Sequence, residues 1–158
     1  MSKTEKSKRW HTAQRFLKSY DPFTTENIMS IRSPDCTFFY FPPTPGHKPW
    51  TNKMVYDFYK PLEKGMDRMD IEVYRMIEDP EQNTMDVWIT MRVHWKKELR
   101  IEPYEGTYVW GLEFSPDQEQ VSKFLEHVDR SVTPIIWQKY CEGQKLLGGP
   151  PPTLPSFD

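Results

Sequence analysis

Apolar residues recur at helical spacing through the first third of the chain. Ala13, Phe16, Leu17 and Tyr20 fall at i, i+3, i+4 and i+7, which puts them on one helical face. Asp21-Pro22 stops that helix, because a residue before proline is driven out of the α region. Thr24 or Thr25 can cap a second, short helix with Glu26 in its first turn, Ile28 and Ile31 facing inward, and Ser33-Pro34-Asp35 at its end. Residues 36–41 read as an aromatic strand, followed by a proline-rich loop over 42–49. Thr51 or Asn52 caps a third helix whose inner face is Val55, Phe58, Tyr59 and Leu62, and Lys64-Gly65 closes it.

Beyond Gly65 the period changes to two. Residues 69–78 read as a strand and 79–83 as its turn. In the next strand Met85, Val87, Ile89, Met91, Val93 and Trp95 face one way, and Asp86, Trp88, Thr90, Arg92 and His94 the other. Residues 104–114 and 121–129 make two more strands, and helical residues 132–140 follow. This order predicts an α+β fold, with three N-terminal helices packed on a strongly curved antiparallel sheet. Strands this long must coil, and a bent sheet with helices across its open side forms a cone whose mouth suits a ligand. Aromatics on both faces of several strands make a homodimer the expected assembly. Residues 1–9 read as a flexible arm, 10–142 as one domain and 143–158 as a proline-rich tail.

Composition narrows the function classes. The 37% hydrophobic and 28% charged fractions are globular values, and no apolar run approaches the length of a membrane span. A net charge of −2 leaves no basic excess to neutralise phosphates, so nucleic acid is not an expected partner. The basic start has no apolar stretch behind it and does not read as a secretory signal; Cys36 and Cys141 read as reduced thiols, which points to the cytoplasm. Six Trp, eight Tyr and nine Phe exceed what a small core needs, and large aromatics also line pockets for flat apolar ligands.

Three short segments carry a resemblance: the run from Ile28 to Cys36 (Ile-Met-Ser-Ile-Arg-Ser-Pro-Asp-Cys), the stretch Asn52…Tyr56…Phe58…Lys60-Pro61, and Phe124-Leu125-Glu126-His127-Val128-Asp129. With the element order, they resemble the SnoaL-like group of the nuclear transport factor 2-like fold, over roughly residues 10–140. The resemblance implies cofactor-free acid/base chemistry, an isomerisation or cyclisation, on a bulky polycyclic secondary metabolite of fungal type. In the meroterpenoid isomerases of that group a histidine follows the cysteine of the first motif. Here Thr37, Phe38 and Phe39 stand there, which favours a flatter, more aromatic substrate.

Several residues are candidates for the chemistry. Arg32 lies where an inner helical face meets a strand, and its guanidinium could hold a developing oxyanion or simply pair with Asp35. Glu126 stands between Phe124 and Val128 on one strand face, so it is either desolvated with a raised pKa or paired with a cation, Arg32 among them. Together they would make a push–pull pair for a 1,2-shift. Asp129 could take part or cap the following helix, His127 could carry a proton or sit at the surface, and Tyr56 could donate to a substrate oxygen or pack. Phe38, Tyr40, Trp50, Trp88, His94, Tyr108, Trp110 and Phe124 are the expected substrate-binding set. The four histidines lack ligand-spaced partners, so no metal is expected, and no glycine-rich phosphate loop follows a strand. Two competing functions remain. A dehydratase resembling scytalone dehydratase would need His94 and His127 to converge in the cone, and a non-catalytic binding module would fill its pocket with its own side chains.

Overall fold

The structure, a computed structural model, describes residues 5–43 and 45–153, so the ends of the expected arm and tail, 1–4 and 154–158, lie outside the described residues. Helix α1 (Lys8–Lys18) is capped by Ser7, whose Oγ accepts from Trp10 N at 3.0 Å, and it buries Ala13, Phe16 and Leu17. It therefore begins inside the stretch read as an arm. Arg9 fixes it there by donating from Nε to Glu78 at 2.6 Å. Helix α2 (Thr25–Ser30) is capped by Thr24 and buries Ile28.

Strand β1 (Arg32–Phe41) starts four residues before the expected strand, and Pro34 lies within it instead of ending the helix. Its register against the last strand jumps between Arg32 and Thr37. Proline has no N–H for the ladder, and an irregular stretch of this kind is where a strand accommodates it. A two-residue strand β2 (Trp50–Thr51) leads into α3 (Asn52–Leu62), whose N-cap Thr51 accepts from Met54 N at 3.3 Å.

Strands β3 (Met66–Asp79), β4 (Thr84–Trp95), β5 (Tyr104–Phe114) and β6 (Val121–His127) follow, then α4 (Thr133–Leu146). The sheet has six strands in the order β2-β1-β6-β5-β4-β3. It is not wholly antiparallel, because β1 and β6 run parallel. That pairing joins segments some eighty residues apart without a turn between them, so no local signal in the sequence announces its direction. Among the described residues four α-helices meet the sheet, the three N-terminal ones and α4, which lengthens the helix expected over 132–140. α4 crosses the open side and runs past residue 142, held by Gln144, whose Nε2 donates to Pro61 O at 2.9 Å.

Two irregularities in the β3–β4 register mark places where a strand bends. The inward face of β4 is the apolar one, with Met85, Val87, Ile89, Met91, Val93 and Trp95 all buried. Beneath the cone Phe124 stacks on Phe38 at 4.9 Å and meets Phe16 and Trp110 edge-on at 5.1 and 5.0 Å. These four rings found the site above them, each pair worth about 0.5–1.5 kcal/mol beyond area burial. The outer face carries exposed Tyr74 and Trp88. Among the described residues no helix is long and apolar enough to cross a membrane.

Candidate active site

One rung of the sheet organises the site. In register, Tyr40 of β1 pairs with Glu126 of β6, and Glu126 with Trp110 of β5. All three line a cavity of about 530 Å³ between the concave face of the sheet and the helices. Tyr20, just past α1, Tyr59 of α3, Tyr108 of β5 and Tyr140 of α4 bring four more phenols to its wall. Trp50, Phe58, Ile136 and Trp137 supply apolar surface. At the mouth stand His47 and Arg130, the latter donating from Nη2 to Pro42 O at 2.8 Å and so tying the lead-in of α4 to the loop after β1.

Glu126 is the carboxylate of the wall. Burial pushes its pKa from 4.5 up to about 7, partly offset by Trp110, whose Nε1 donates to Oε2 at 3.0 Å. Near neutrality it can therefore give or take a proton. The phenols are held well above their ordinary range: burial raises Tyr40, Tyr59, Tyr108 and Tyr140, and the charge of Glu126 adds to it. They stay neutral and act as hydrogen-bond donors and acceptors. The cavity thus holds a buried carboxyl in an aromatic wall with several hydroxyls, and an imidazole, His47, at its mouth.

Arg32 is buried but does not line the cavity. Its Nε donates to Asn52 Oδ1 at 2.9 Å, and Asn52 in turn donates to Ser33 O and Pro34 O at 2.7 and 3.1 Å. Its Nη2 has no hydrogen-bond partner among the described residues. Neither expected ion pair forms among the described residues: Asp35 accepts from Ser33 Oγ and Glu126 from Trp110 Nε1 instead. The register explains why. Arg32 lies beside Val121 and Tyr40 beside Glu126, so the backbone positions of Arg32 and Glu126 are offset by five residues along β6, about 16 Å of strand. Arg32 acts from behind the wall, where its charge opposes the upward shifts of Tyr20 and Tyr59.

Of the other candidates, Tyr40, Trp50, Tyr108 and Trp110 line the cavity, and Phe38 and Phe124 are buried in the core below it. Trp88, 43% exposed, and His94, whose Nε2 lies 2.7 Å from Asp70 Oδ2, are on the outer face, opposite the apolar register of β4. His127 is exposed and packs its ring on Phe41 at 4.6 Å. Asp129 is exposed and accepts from Ser131 N and Oγ at 2.8 and 2.6 Å, bonds that hold its carboxyl below its usual range in a turn-capping role. Tyr56 faces outward from α3, beside Lys60. Periodicity puts Tyr20 and Tyr59 on inner helical faces, where packing is the simpler role, and nothing in it brings α4 to the cavity, although Thr133, Ile136, Trp137 and Tyr140 stand at i, i+3, i+4 and i+7.

The architecture is shared with known structures. BvnE pinacolase from Penicillium brevicompactum matches with a TM-score of 0.74 at 18% identity, over 88% of this chain and 94% of its own. PrhC from Penicillium brasilianum matches at 0.72 and 14%, over 87% and 90%. AusH from Aspergillus nidulans matches at 0.67 and 18%, over 80% and 86%. No protein-family model and no curated protein sequence matches the chain. At such identities the likeness is one of fold, and the fold is that of the SnoaL-like, nuclear transport factor 2-like proteins.

Proposed function

We propose that the chain is an isomerase or cyclase that rearranges a bulky, polycyclic secondary metabolite by cofactor-free acid/base chemistry. The observation that carries this reading is Glu126, a carboxyl raised to about 7 on the wall of an aromatic cavity ringed by tyrosine hydroxyls. Its volume of about 530 Å³ falls in the range of pockets that enclose a drug-sized ligand. A semipinacol-type 1,2-shift suits these groups. Glu126 takes the proton of a carbinol as its C–C bond migrates to the neighbouring epoxide carbon. The epoxide C–O bond breaks, a phenol hydrogen-bonds the developing alkoxide, and the proton returns to that oxygen. The fold likeness to a pinacolase agrees with such a shift. Confining the substrate in one conformer would contribute alongside the proton transfer.

The dehydratase reading needs two histidines in the cone, and His94 and His127 both face outward. A module that merely binds a partner protein would fill its pocket, whereas this one is open. The test is conversion of a 2,3-epoxy alcohol on an indole- or naphthalene-fused ring to its mass-identical hydroxyketone isomer. Conversion that persists in full in the Glu126→Gln protein sinks the mechanism.

The outer face is assigned to a second copy of the chain. Tyr74 and Trp88 lie among Arg92, Glu72 and Glu105, a mixed-sign patch able to complement itself about a two-fold axis. Light scattering is expected to give twice the 19.0 kDa of the chain, falling to the single mass in Trp88→Glu. A native protein that runs as a monomer at micromolar concentration removes the assignment.

A further inference from the structure

Strand β5 presents Tyr104, Gly106, Tyr108 and Trp110 on its concave face by simple alternation. The two phenols are buried, 3% and 5% exposed, and their hydroxyl oxygens lie 2.7 Å apart. Tyr108 lines the cavity, whereas Tyr104 does not. Between them, Gly106 is the residue that permits the contact. A Cβ there would stand 2.3 Å from the Tyr104 hydroxyl, 2.8 Å from its Cζ and 3.0 Å from Tyr108 Cε2. The Tyr104 ring therefore lies back over the glycine to reach Tyr108.

One hydroxyl of such a pair donates and the other accepts. Tyr104 has no second hydrogen-bond partner among the described residues, so if it accepted, its own proton would be buried and unmet. If it donates, its proton is satisfied by Tyr108, and the Tyr108 proton is left to turn into the cavity, where a substrate oxygen can receive it. We infer that Tyr104 is a positioning residue: seated over Gly106, it donates to Tyr108 and aims the Tyr108 hydroxyl at the substrate oxygen that gains negative charge. This rests on the acid/base reading of the cavity. It divides the work, with Glu126 receiving a proton and Tyr108 stabilising the oxyanion.

Tyrosine labelled with 13C at Cζ reads the pair without any substrate. In mixed H2O and D2O, a slowly exchanging Tyr104 hydroxyl is expected to split its Cζ signal. Tyr104→Phe should shift the Tyr108 resonance, and Tyr108→Phe should collapse the Tyr104 splitting. Gly106→Ala should do the same with both phenols present, by pushing the Tyr104 ring away. On the epoxy-alcohol probe, Tyr104→Phe is expected to lower kcat about five- to tenfold, the worth of one neutral hydrogen bond, with KM unchanged. A Tyr108 signal unmoved by Tyr104→Phe overturns the inference. So does full kcat in Tyr104→Phe when Glu126→Gln is inactive, an outcome that leaves the acid/base reading standing. Full turnover in Glu126→Gln sinks that reading instead.

Discussion

Glu126→Gln is expected to cost at least about a hundredfold in turnover and, at pH 8, to make the folded protein more stable. The two effects share one cause. The native carboxyl titrates near 7 and the unfolded one near 4.5, so the unfolded chain ionises first as pH rises. Native stability therefore falls between pH 4.5 and 7; below that window the group costs nothing, and above it the penalty is complete. At about 1.4 kcal/mol for each pH unit the upper bound is roughly 3 kcal/mol, and water in the cavity reduces it to about 2. Glutamine carries no charge and keeps an oxygen for the Trp110 N–H, so it removes the penalty while retaining the bond. Melting curves at pH 4 and pH 8 check this: a gain of roughly 4–8 °C at pH 8 that vanishes at pH 4. Equal or lower stability at pH 8 shows that Glu126 is not held near neutrality by the fold.

How far such a group is legible in sequence depends on how local its environment is. Alternation along β6 already puts Phe124, Glu126 and Val128 on one face, and strand geometry alone makes that face the concave one once β5 pairs beside it. The helical spacing of Ala13, Phe16, Leu17 and Tyr20 likewise predicts burial, since one stripe of α1 must meet the core. What failed was non-local. The direction of β1 against β6, and with it the five-residue offset of Arg32 from Glu126 along the sheet, depends on a pairing with no turn to announce it. Arg32 does stand at a helix–strand junction, as the sequence implies, but the junction lies at Ile31 and Pro34 falls inside the strand. On α3 the face meeting the core and the face meeting the cavity are the same stripe. Tyr59, at i+4 from Val55, therefore reads chiefly as packing, and Tyr56, off that stripe, reads as a candidate donor although it points to solvent. Periodicity separates inside from outside. It does not separate a filled interior from a hollow one.

Trp110 offers the sharpest test of what sets the Glu126 proton, because two substitutions there are expected to move it in opposite directions. The indole is 1% exposed, edge-on to Phe16 and Phe124 and tilted against Tyr20, with its Nε1–H on the carboxylate. Trp110→Phe keeps a ring in the stack and removes the donor, at about 1–2 kcal/mol of stability. The hydrogen bond favours the ionised form, so its loss lets desolvation act unopposed, and the carboxyl titrates above about 7. Turnover at pH 7 then falls and recovers as pH is raised. Trp110→Ala costs about 3–5 kcal/mol and opens the wall. Water entering beside Glu126 relieves the desolvation that raised the group, so its pKa drops toward 4.5 even though the same donor is gone. A 13C titration of the labelled Glu126 carboxyl in both variants reads the two signs directly. A downward move in the phenylalanine variant means the indole N–H does not stabilise the carboxylate. An upward move in the alanine variant means that the aromatic wall does not keep water from it, and the cavity cannot then be what brings a carboxylate to neutral pH.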